Sequence, residues 1–239
     1  MITYQDVLDA QKRISPNIVH TPLLRAGALD KKLGCKVYLK AENFQVTGSF
    51  KIRGAVNCIL TLSEDQRKRG ITATSTGNHD QGVDCAAKLL GIDAVIVMPE
   101  NCNPVKLANT RSYGAKVTLA GTKLAERDAK AAELVKTEGR TFVHPYANDF
   151  VRAGQGTIAL EILEDEPQMD AIVVPIGGGG LISGIATAAK AICPSIRIIG
   201  AEPQGARRYS ISRSEGKPVL LDNVGQTIAD GTRTEEADP

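Results

Sequence analysis

Short apolar runs alternate with stretches of helical spacing along most of the chain, and this alternation predicts strands followed by helices. The apolar runs predict strands at Lys36–Lys40, Ile71–Thr74, Asp93–Met98, Ala115–Leu119, Thr141–Val143, Ala171–Pro175 and Ile196–Ala201. The longer stretches predict helices at Thr3–Arg13, Phe50–Leu60, Gly82–Leu90, Pro104–Tyr113, Lys123–Glu138, Ala153–Leu163 and Leu181–Ile192. Such an order is typical of an α/β protein with a mostly parallel sheet.

Lys51 stands where a glycine-serine turn, an aromatic residue and a predicted helix meet, in the run Thr47-Gly48-Ser49-Phe50-Lys51. A lysine in water has a pKa of about 10.4, so at neutral pH it is protonated and a poor nucleophile. Burial lowers that pKa, and condensation with an aldehyde gives a Schiff base. The run therefore indicates pyridoxal phosphate, which also needs a phosphate site and a surface against its ring. For Lys51 taken alone, the alternative is an exposed lysine that starts a helix.

Four consecutive glycines, Gly177–Gly180, separate the predicted strand that ends at Pro175 from the predicted helix that begins at Leu181. Backbone N–H groups and the positive end of a helix dipole meet there, so a phosphate can bind without a basic side chain. A Cβ would keep the backbone from closing on the phosphate oxygens. The run fits neither the Walker pattern nor the dinucleotide pattern G-x-G-x-x-G. A merely tight turn is the alternative.

A third motif lies where the predicted strand Ile71–Thr74 meets the turn Ser75-Thr76-Gly77-Asn78-His79. Hydroxyl and amide side chains at a helix N-terminus suit an anion such as a substrate carboxylate. The same residues are also ordinary helix-capping residues, so the motif gains meaning only beside the other two.

Together the three motifs resemble those of the fold-type II pyridoxal-phosphate enzymes, in particular the threonine/serine dehydratase and serine racemase family. The resemblance extends from His20-Thr21-Pro22-Leu23 to Ile228-Ala229-Asp230-Gly231. It implies that Lys51 forms the Schiff base, that Phe50 packs on the cofactor ring and that Asn78 meets the cofactor's 3-hydroxyl oxygen. The implied phosphate loop is Gly177, Gly178, Gly179, Gly180 and Leu181. The implied substrate-carboxylate loop is Ser75, Thr76, Gly77 and His79.

The resemblance also implies two three-layer open-sheet domains of the tryptophan-synthase-beta-like architecture, with the site in the cleft between them. Residues 66–140 are expected to form the small domain, and residues 1–65 with 141–239 the large one. The large domain of the family continues beyond the counterpart of Gly231, so it is expected to be truncated here. The implied reaction is β-elimination from a hydroxy-amino acid such as L-threonine or L-serine, giving a 2-keto acid and ammonia. An amino-acid racemase on the same scaffold and a catalytically silent fragment are the alternatives.

Three positions depart from the family pattern. Asp80 replaces the small residue that usually follows Gly-Asn-His, and its carboxylate suits the helix dipole but repels a substrate carboxylate. Thr76 replaces the serine that the family's racemases use as a second acid/base, which favours elimination. Arg208 stands where relatives that hold a divalent ion have an acidic ligand, so no metal is expected and only Glu202 is left as a candidate ligand.

Bulk properties exclude several classes of protein. With 42% hydrophobic residues, 23% charged residues and a net charge of +2, the chain is typical of a globular domain without a nucleic-acid partner. No apolar stretch is long enough to span a membrane, and the N-terminus lacks a secretory pattern. Five scattered cysteines predict buried free thiols in the cytoplasm. We further expect structural roles for His20 and for His144 (in its predicted strand), and a homodimer that binds a small amino acid.

Overall fold

A computed structural model describes residues 1–74, 77–102, 104–221 and 227–233 of the chain. Within these ranges the helices are α1 (Tyr4–Ile14), α2 (Gly27–Leu33), α3 (Lys51–Leu60), α4 (Glu64–Arg69), α5 (Asn78–Leu90), α6 (Pro104–Tyr113), α7 (Leu124–Glu138), α8 (Asp149–Asp165), α9 (Gly180–Ile192) and α10 (Arg208–Glu215). The strands are β1 (Leu23–Arg25), β2 (Tyr38–Lys40), β3 (Ile71–Thr74), β4 (Ala94–Met98), β5 (Lys116–Leu119), β6 (Thr141–Phe142), β7 (Ala171–Pro175) and β8 (Arg197–Ala201).

The largest sheet contains four parallel strands in the order β5-β4-β3-β6. In its register Ile71 of β3 lies opposite Ala94 of β4 and Thr141 of β6. Every residue of β3 and β4 is buried, because central parallel strands are covered on both faces. All four carboxyl ends point to one edge of the sheet, which is the usual position of a ligand site in α/β folds.

Helices cover the two faces of this sheet through alternate residues of β4. Ile96 and Met98 pack in a cluster with apolar residues of α3 and α5. Val95 and Val97 point the other way and pack in a second cluster with Ala131 and Leu134. The four-stranded sheet is therefore the middle layer of three, which agrees with the predicted three-layer architecture.

The parallel pair β7-β8 packs one face against α1, α8 and α9. Val174 and Ile196 lie in that cluster with Ile158 and Ile185. The opposite face is open, since Val173 is 64% exposed and Ile199 is 43% exposed. A separate antiparallel pair, β1-β2, precedes α3 along the chain.

The helix that begins at Lys51 is fixed by direct backbone contact with α8. A Cβ placed on Gly154 of α8 would lie 2.6 Å from the carbonyl oxygen of Arg53 and 2.7 Å from the Cα of Gly54. Since real side chains do not make such contacts, glycine is required where α3 and α8 cross. The crossing holds α3 against the rest of the fold within two or three residues of Lys51.

Several element boundaries differ from the prediction, mostly at polar helix starts. α8 begins at Asp149, because the Asn148 side chain accepts a hydrogen bond from Val151 N at 3.1 Å and caps the helix before its apolar pattern begins. Helix α5 likewise starts at Asn78. β6 ends at Phe142, so the prediction that His144 lies in this strand was wrong. Three short helices, α2, α4 and α10, and strand β1 were not predicted, since their apolar patterns are too short to recognise.

β6 also bears on how the chain is divided into domains. Starting at Thr141, it hydrogen-bonds to β3 and completes the four-stranded sheet, whereas the predicted division assigned it to the large domain. The division itself stays a prediction.

Of the five cysteines, all free, Cys58 and Cys85 are buried, but Cys35 is exposed and the other two are partly exposed, so burial was wrongly predicted for three. Within the described ranges, no helix combines the length and apolar character that crossing a bilayer requires.

Candidate cofactor and substrate cleft

A cleft of about 1220 Å³ opens at the carboxyl edge of the four-stranded sheet and extends to the end of β7. Most of the predicted site residues that the structure describes line it: Phe50, Lys51, Gly77, Asn78, His79, Gly177, Gly178, Gly179, Gly180 and Leu181. The two other predicted residues, Ser75 and Thr76, lie outside the described residues. Three separate motifs of the sequence thus converge on one cavity.

Lys51 is the first residue of α3 and directs its amine into the cleft. Its Nζ donates a hydrogen bond to the carbonyl oxygen of Pro145 at 2.8 Å and lies 5.5 Å from the centroid of the Phe50 ring. Burial lowers the pKa of Lys51 to about 8, and the negative charge of Asp80 opposes that shift. A much larger fraction of this amine is therefore neutral at physiological pH than of a lysine in water.

The glycine run forms the loop between β7 and α9. Gly179 adopts a φ of +96°, in the left-handed region that other residues avoid, and α9 starts at Gly180. A Cβ on Gly178 would collide with the ring of Tyr146, and one on Gly179 would collide with the hydroxyl of Tyr209. The bare backbone is therefore required by its surroundings on both sides. Amide groups at the start of a 13-residue helix suit a phosphate at this point.

The start of α5 brings the third motif to the cleft. Asn78 is exposed there, next to Gly77. His79 is 3% exposed, and its Nε2 lies 2.9 Å from the carbonyl oxygen of Val143. Burial, assisted by the nearby charge of Lys51, lowers the pKa of His79 to about 3, so the ring is neutral and donates from Nε2. Among the described residues Nδ1 of His79 has no hydrogen-bond partner, which leaves an acceptor next to the predicted carboxylate loop.

Sequence reasoning missed residues that follow β6. His144 lines the cleft, and its Nδ1 accepts hydrogen bonds from Tyr146 N at 3.2 Å and Ala147 N at 2.8 Å. Burial lowers the pKa of His144 to about 4. The ring of Tyr146 stacks edge-on against His144, with 4.6 Å between centroids. Their position directly after a parallel strand is a pattern that could have revealed them.

Gln155 is the other missed residue, and no sequence pattern distinguishes it, because it lies within α8. It is 1% exposed but still lines the cleft. Its Oε1 accepts a hydrogen bond from Gly54 N at 3.2 Å, while its Nε2 has no partner among the described residues. A buried amide donor of this kind is costly unless a ligand accepts from it.

The candidate metal ligand Glu202 has a structural task. Its carboxylate accepts hydrogen bonds from Tyr209 N and Ser210 N, both at 2.9 Å, and from the Ser210 hydroxyl at 2.7 Å. It therefore anchors the start of α10. In the part of the chain that the structure describes, no three His, Cys, Asp or Glu side chains are grouped as metal ligands.

These residues fit pyridoxal phosphate on three structural grounds. The amine of Lys51 is within the cleft and has a lowered pKa. The loop Gly177–Gly180 presents bare backbone to the cleft, and a side chain at Gly178 or Gly179 would collide with Tyr146 or Tyr209. Phe50 supplies an apolar ring beside the amine. An aldehyde-bearing, phosphorylated aromatic cofactor matches all three features.

Comparison with known proteins agrees with this fit. A family model described as pyridoxal-phosphate dependent enzyme matches residues 14–239. An L-threonine ammonia-lyase from Thermotoga maritima is 46% identical over 232 residues, which cover 94% of this chain and 58% of the relative. A catabolic L-threonine dehydratase from Staphylococcus aureus is 48% identical over 233 residues, which cover 97% of this chain and 67% of the relative. The chain thus spans roughly three fifths to two thirds of these curated relatives.

Among solved structures, maize serine racemase superimposes with a TM-score of 0.96 and 41% sequence identity, over 99% of this chain and 71% of that one. This similarity confirms the predicted fold class. The family match and the geometry of the cleft confirm the predicted cofactor. The chain belongs to the family of pyridoxal-phosphate-dependent enzymes.

Proposed function

We propose that the whole protein is an ammonia-lyase that removes water and then ammonia from a hydroxy-amino acid such as L-threonine or L-serine. The observation that carries this proposal is the amine of Lys51, held in the cleft with a pKa of about 8 opposite a glycine loop. The names of the relatives, an L-threonine ammonia-lyase and an L-threonine dehydratase, support the reaction class.

Each described residue of the cleft takes a definite task in this proposal. Lys51 holds the cofactor through Nζ, Phe50 packs on its ring and Asn78 contacts its 3-hydroxyl oxygen. Gly177, Gly178, Gly179, Gly180 and Leu181 hold its phosphate. Gly77 and the backbone N–H of His79, with Ser75 and Thr76, hold the substrate carboxylate at the start of α5, where the helix dipole favours negative charge. When bound, the cofactor acts as an electron sink that makes the Cα proton of the substrate acidic.

Lys51 also serves as the general base. When it is not holding the cofactor, its neutral Nζ would take the Cα proton of the substrate. A pKa of about 8 suits this task, because the amine is neutral in part of the population yet basic enough to accept the proton. The hydrogen bond to Pro145 O, at 2.8 Å, fixes the direction in which Nζ points.

A racemase is the second candidate, and the superposition on maize serine racemase favours it. Racemisation needs a proton donor on the face of the substrate opposite Lys51. Thr76 is the residue predicted for that position, and it lies outside the described residues. The homodimer and the cytoplasmic location expected from the sequence stay predictions.

The test is to supply the purified chain with pyridoxal phosphate and then with L-threonine or L-serine. Release of a 2-keto acid and ammonia supports the lyase, whereas accumulation of the D-amino acid supports the racemase. Borohydride reduction followed by peptide mass spectrometry should locate the cofactor on Lys51. Lys51→Ala should abolish the adduct, and Lys68→Ala, which changes an exposed lysine of α4, should retain it. An unmodified Lys51 in the wild-type chain would favour the catalytically silent alternative.

A further inference from the structure

The side chains of the first two residues of α10 contact the glycine loop, which lines the cleft, although neither residue is among the lining residues. A guanidinium nitrogen of Arg208 donates a short hydrogen bond to the carbonyl oxygen of Gly177 and a second, of 3.3 Å, to Thr232 O. The hydroxyl of Tyr209 donates to the carbonyl oxygen of Gly178 at 3.0 Å. Two consecutive carbonyl groups of the loop are therefore held by two consecutive side chains.

This arrangement determines where the amide groups of the loop point. In a trans peptide the C=O and the following N–H point in opposite directions. Holding the carbonyl of Gly177 on Arg208 therefore turns the N–H of Gly178 away from Arg208. Holding the carbonyl of Gly178 does the same for the N–H of Gly179. Glycines have no side chain to fix their peptide planes, so the orientation has to come from such external donors.

Arg208 also places a guanidinium group next to the glycine loop. Its side chain is completely buried, and a guanidinium stays protonated in proteins even though burial lowers its pKa. The charge of Glu202 opposes that lowering.

We propose that Arg208 and Tyr209 are positioning residues that orient the glycine loop and thereby set its affinity for the phosphate of the cofactor. The proposal rests on the proposed function in one respect, namely that this loop takes the phosphate. Neither residue is expected to contact the cofactor. Their effect should therefore depend on the phosphate and should not extend to the aldehyde that Lys51 captures.

The experiment compares pyridoxal phosphate with pyridoxal, which has the same aldehyde but no phosphate. Arg208→Gln, Arg208→Lys and Tyr209→Phe are tested beside Arg207→Gln, a change at the exposed neighbour. We expect pyridoxal phosphate to bind about tenfold or more weakly to Arg208→Gln and about threefold more weakly to Tyr209→Phe. Arg208→Lys, which keeps the charge, should recover part of the loss. Capture of pyridoxal by Lys51 should stay within about twofold in every variant, and Arg207→Gln should match the wild type.

Several outcomes would overturn the proposal. An equal loss for both ligands would show general damage to the cleft, and an unchanged affinity for pyridoxal phosphate would show that the two hydrogen bonds do not matter. If Arg208→Gln does not fold, Tyr209→Phe decides, because it removes one oxygen from a half-buried ring. Stabilisation of the apo protein by inorganic phosphate, measured as a shift in melting temperature, gives a readout without Lys51. A wild-type chain that responds to phosphate but captures neither aldehyde would contradict the proposed function and leave this inference supported.

Discussion

Two arginines, Arg53 and Arg208, are both completely buried, but they are paired in opposite ways. Arg53 lies two residues after Lys51. Its guanidinium makes a bidentate ion pair with Glu42, at 2.8 Å to each carboxylate oxygen, and lies 2.9 Å from Glu161 Oε2. Lys40 adds a further contact of 2.7 Å to Glu161. Arg208 instead directs its hydrogen bonds to the backbone carbonyls of Gly177 and Thr232.

The difference separates an arginine that joins helices from one that contacts the glycine loop. At Arg53 carboxylates neutralise the guanidinium, so little field extends beyond the cluster, and its task is to fix α3 to α8 and to the 3₁₀ turn at Glu42–Phe44. Arg208 donates hydrogen bonds to backbone carbonyl oxygens, one of them in the glycine loop, so its side chain acts on the conformation of that loop. Burial alone would not have distinguished the two residues.

The largest effect is expected from Arg53→Met. Glu42, Glu161 and Lys40 would then be buried without their central partner, and breaking such a cluster costs about 3–5 kcal/mol of unfolding free energy. Urea denaturation of the apo protein measures the change. Arg197→Ala, an exposed control on β8, should stay within about 0.5 kcal/mol of the wild type. A loss below about 1 kcal/mol for Arg53→Met would show that the ion pairs of Arg53 contribute little to the free energy of unfolding.

Arg208→Met should cost less stability, about 1–3 kcal/mol, because the carbonyl groups of Gly177 and Thr232 lose a donor. The same denaturation experiment applies. An equal loss for Arg208→Met and Arg53→Met would mean that both arginines serve mainly to stabilise the fold.

Acid should weaken the Arg53 cluster in a defined direction. Burial alone would raise the pKa of Glu161, but the hydrogen bonds and charges of Arg53 and Lys40 outweigh it and hold that pKa below its ordinary value. A carboxylate with a lowered pKa stabilises the fold above its unfolded pKa, about 4.3, and this contribution is lost as the pH falls through the folded pKa. The gap in stability between wild type and Arg53→Met should therefore narrow below about pH 4. A gap that is constant from pH 7 to about pH 3 would contradict the ion-pair interpretation.

The smallest effect is expected from Asp80→Asn, which tests a third buried charge. Asp80 is completely buried in the first turn of α5, and its negative charge raises the pKa of Lys51 against the dominant effect of burial. Removing that charge should lower the pKa of Lys51 below its present value of about 8. Competitive labelling of the lysines of the apo protein over a range of pH measures it, with Lys68 as the exposed reference. An upward shift would show that Asp80 does not act through its charge.

The sequence was sufficient to predict the parts of the site that act through local pattern. Lys51 and Gly177–Gly180 stand at junctions between predicted elements, and the structure brings both to the cleft. Both can be recognised from local sequence, since a helix start or a glycine turn can bind an anion wherever it occurs. The fold class was also predictable from local sequence, because the alternation of strands and helices is visible in the pattern of apolar residues.

The parts that could not be predicted depend on contacts between distant segments. Arg53 pairs with Glu161, which is 108 residues away in the chain, so no local pattern predicts this ion pair. Arg208 reaches Gly177 over 31 residues, and no local pattern marks either one as a partner of the other. Gln155 lies in the middle of a helix and looks like any other polar residue there. Packing, and not motif, determines what these side chains do.

The short segment from Thr141 to Tyr146 joins the two sides of the cleft. It pairs with β3 through Thr141, accepts from His79 through Val143 O and from Lys51 through Pro145 O, and places Tyr146 against the glycine loop. Any sliding of the four-stranded sheet would therefore move the acceptor of Lys51 and the wall behind Gly178 at the same moment. Six residues thus tie the four-stranded sheet, the amine of Lys51 and the glycine loop to one another.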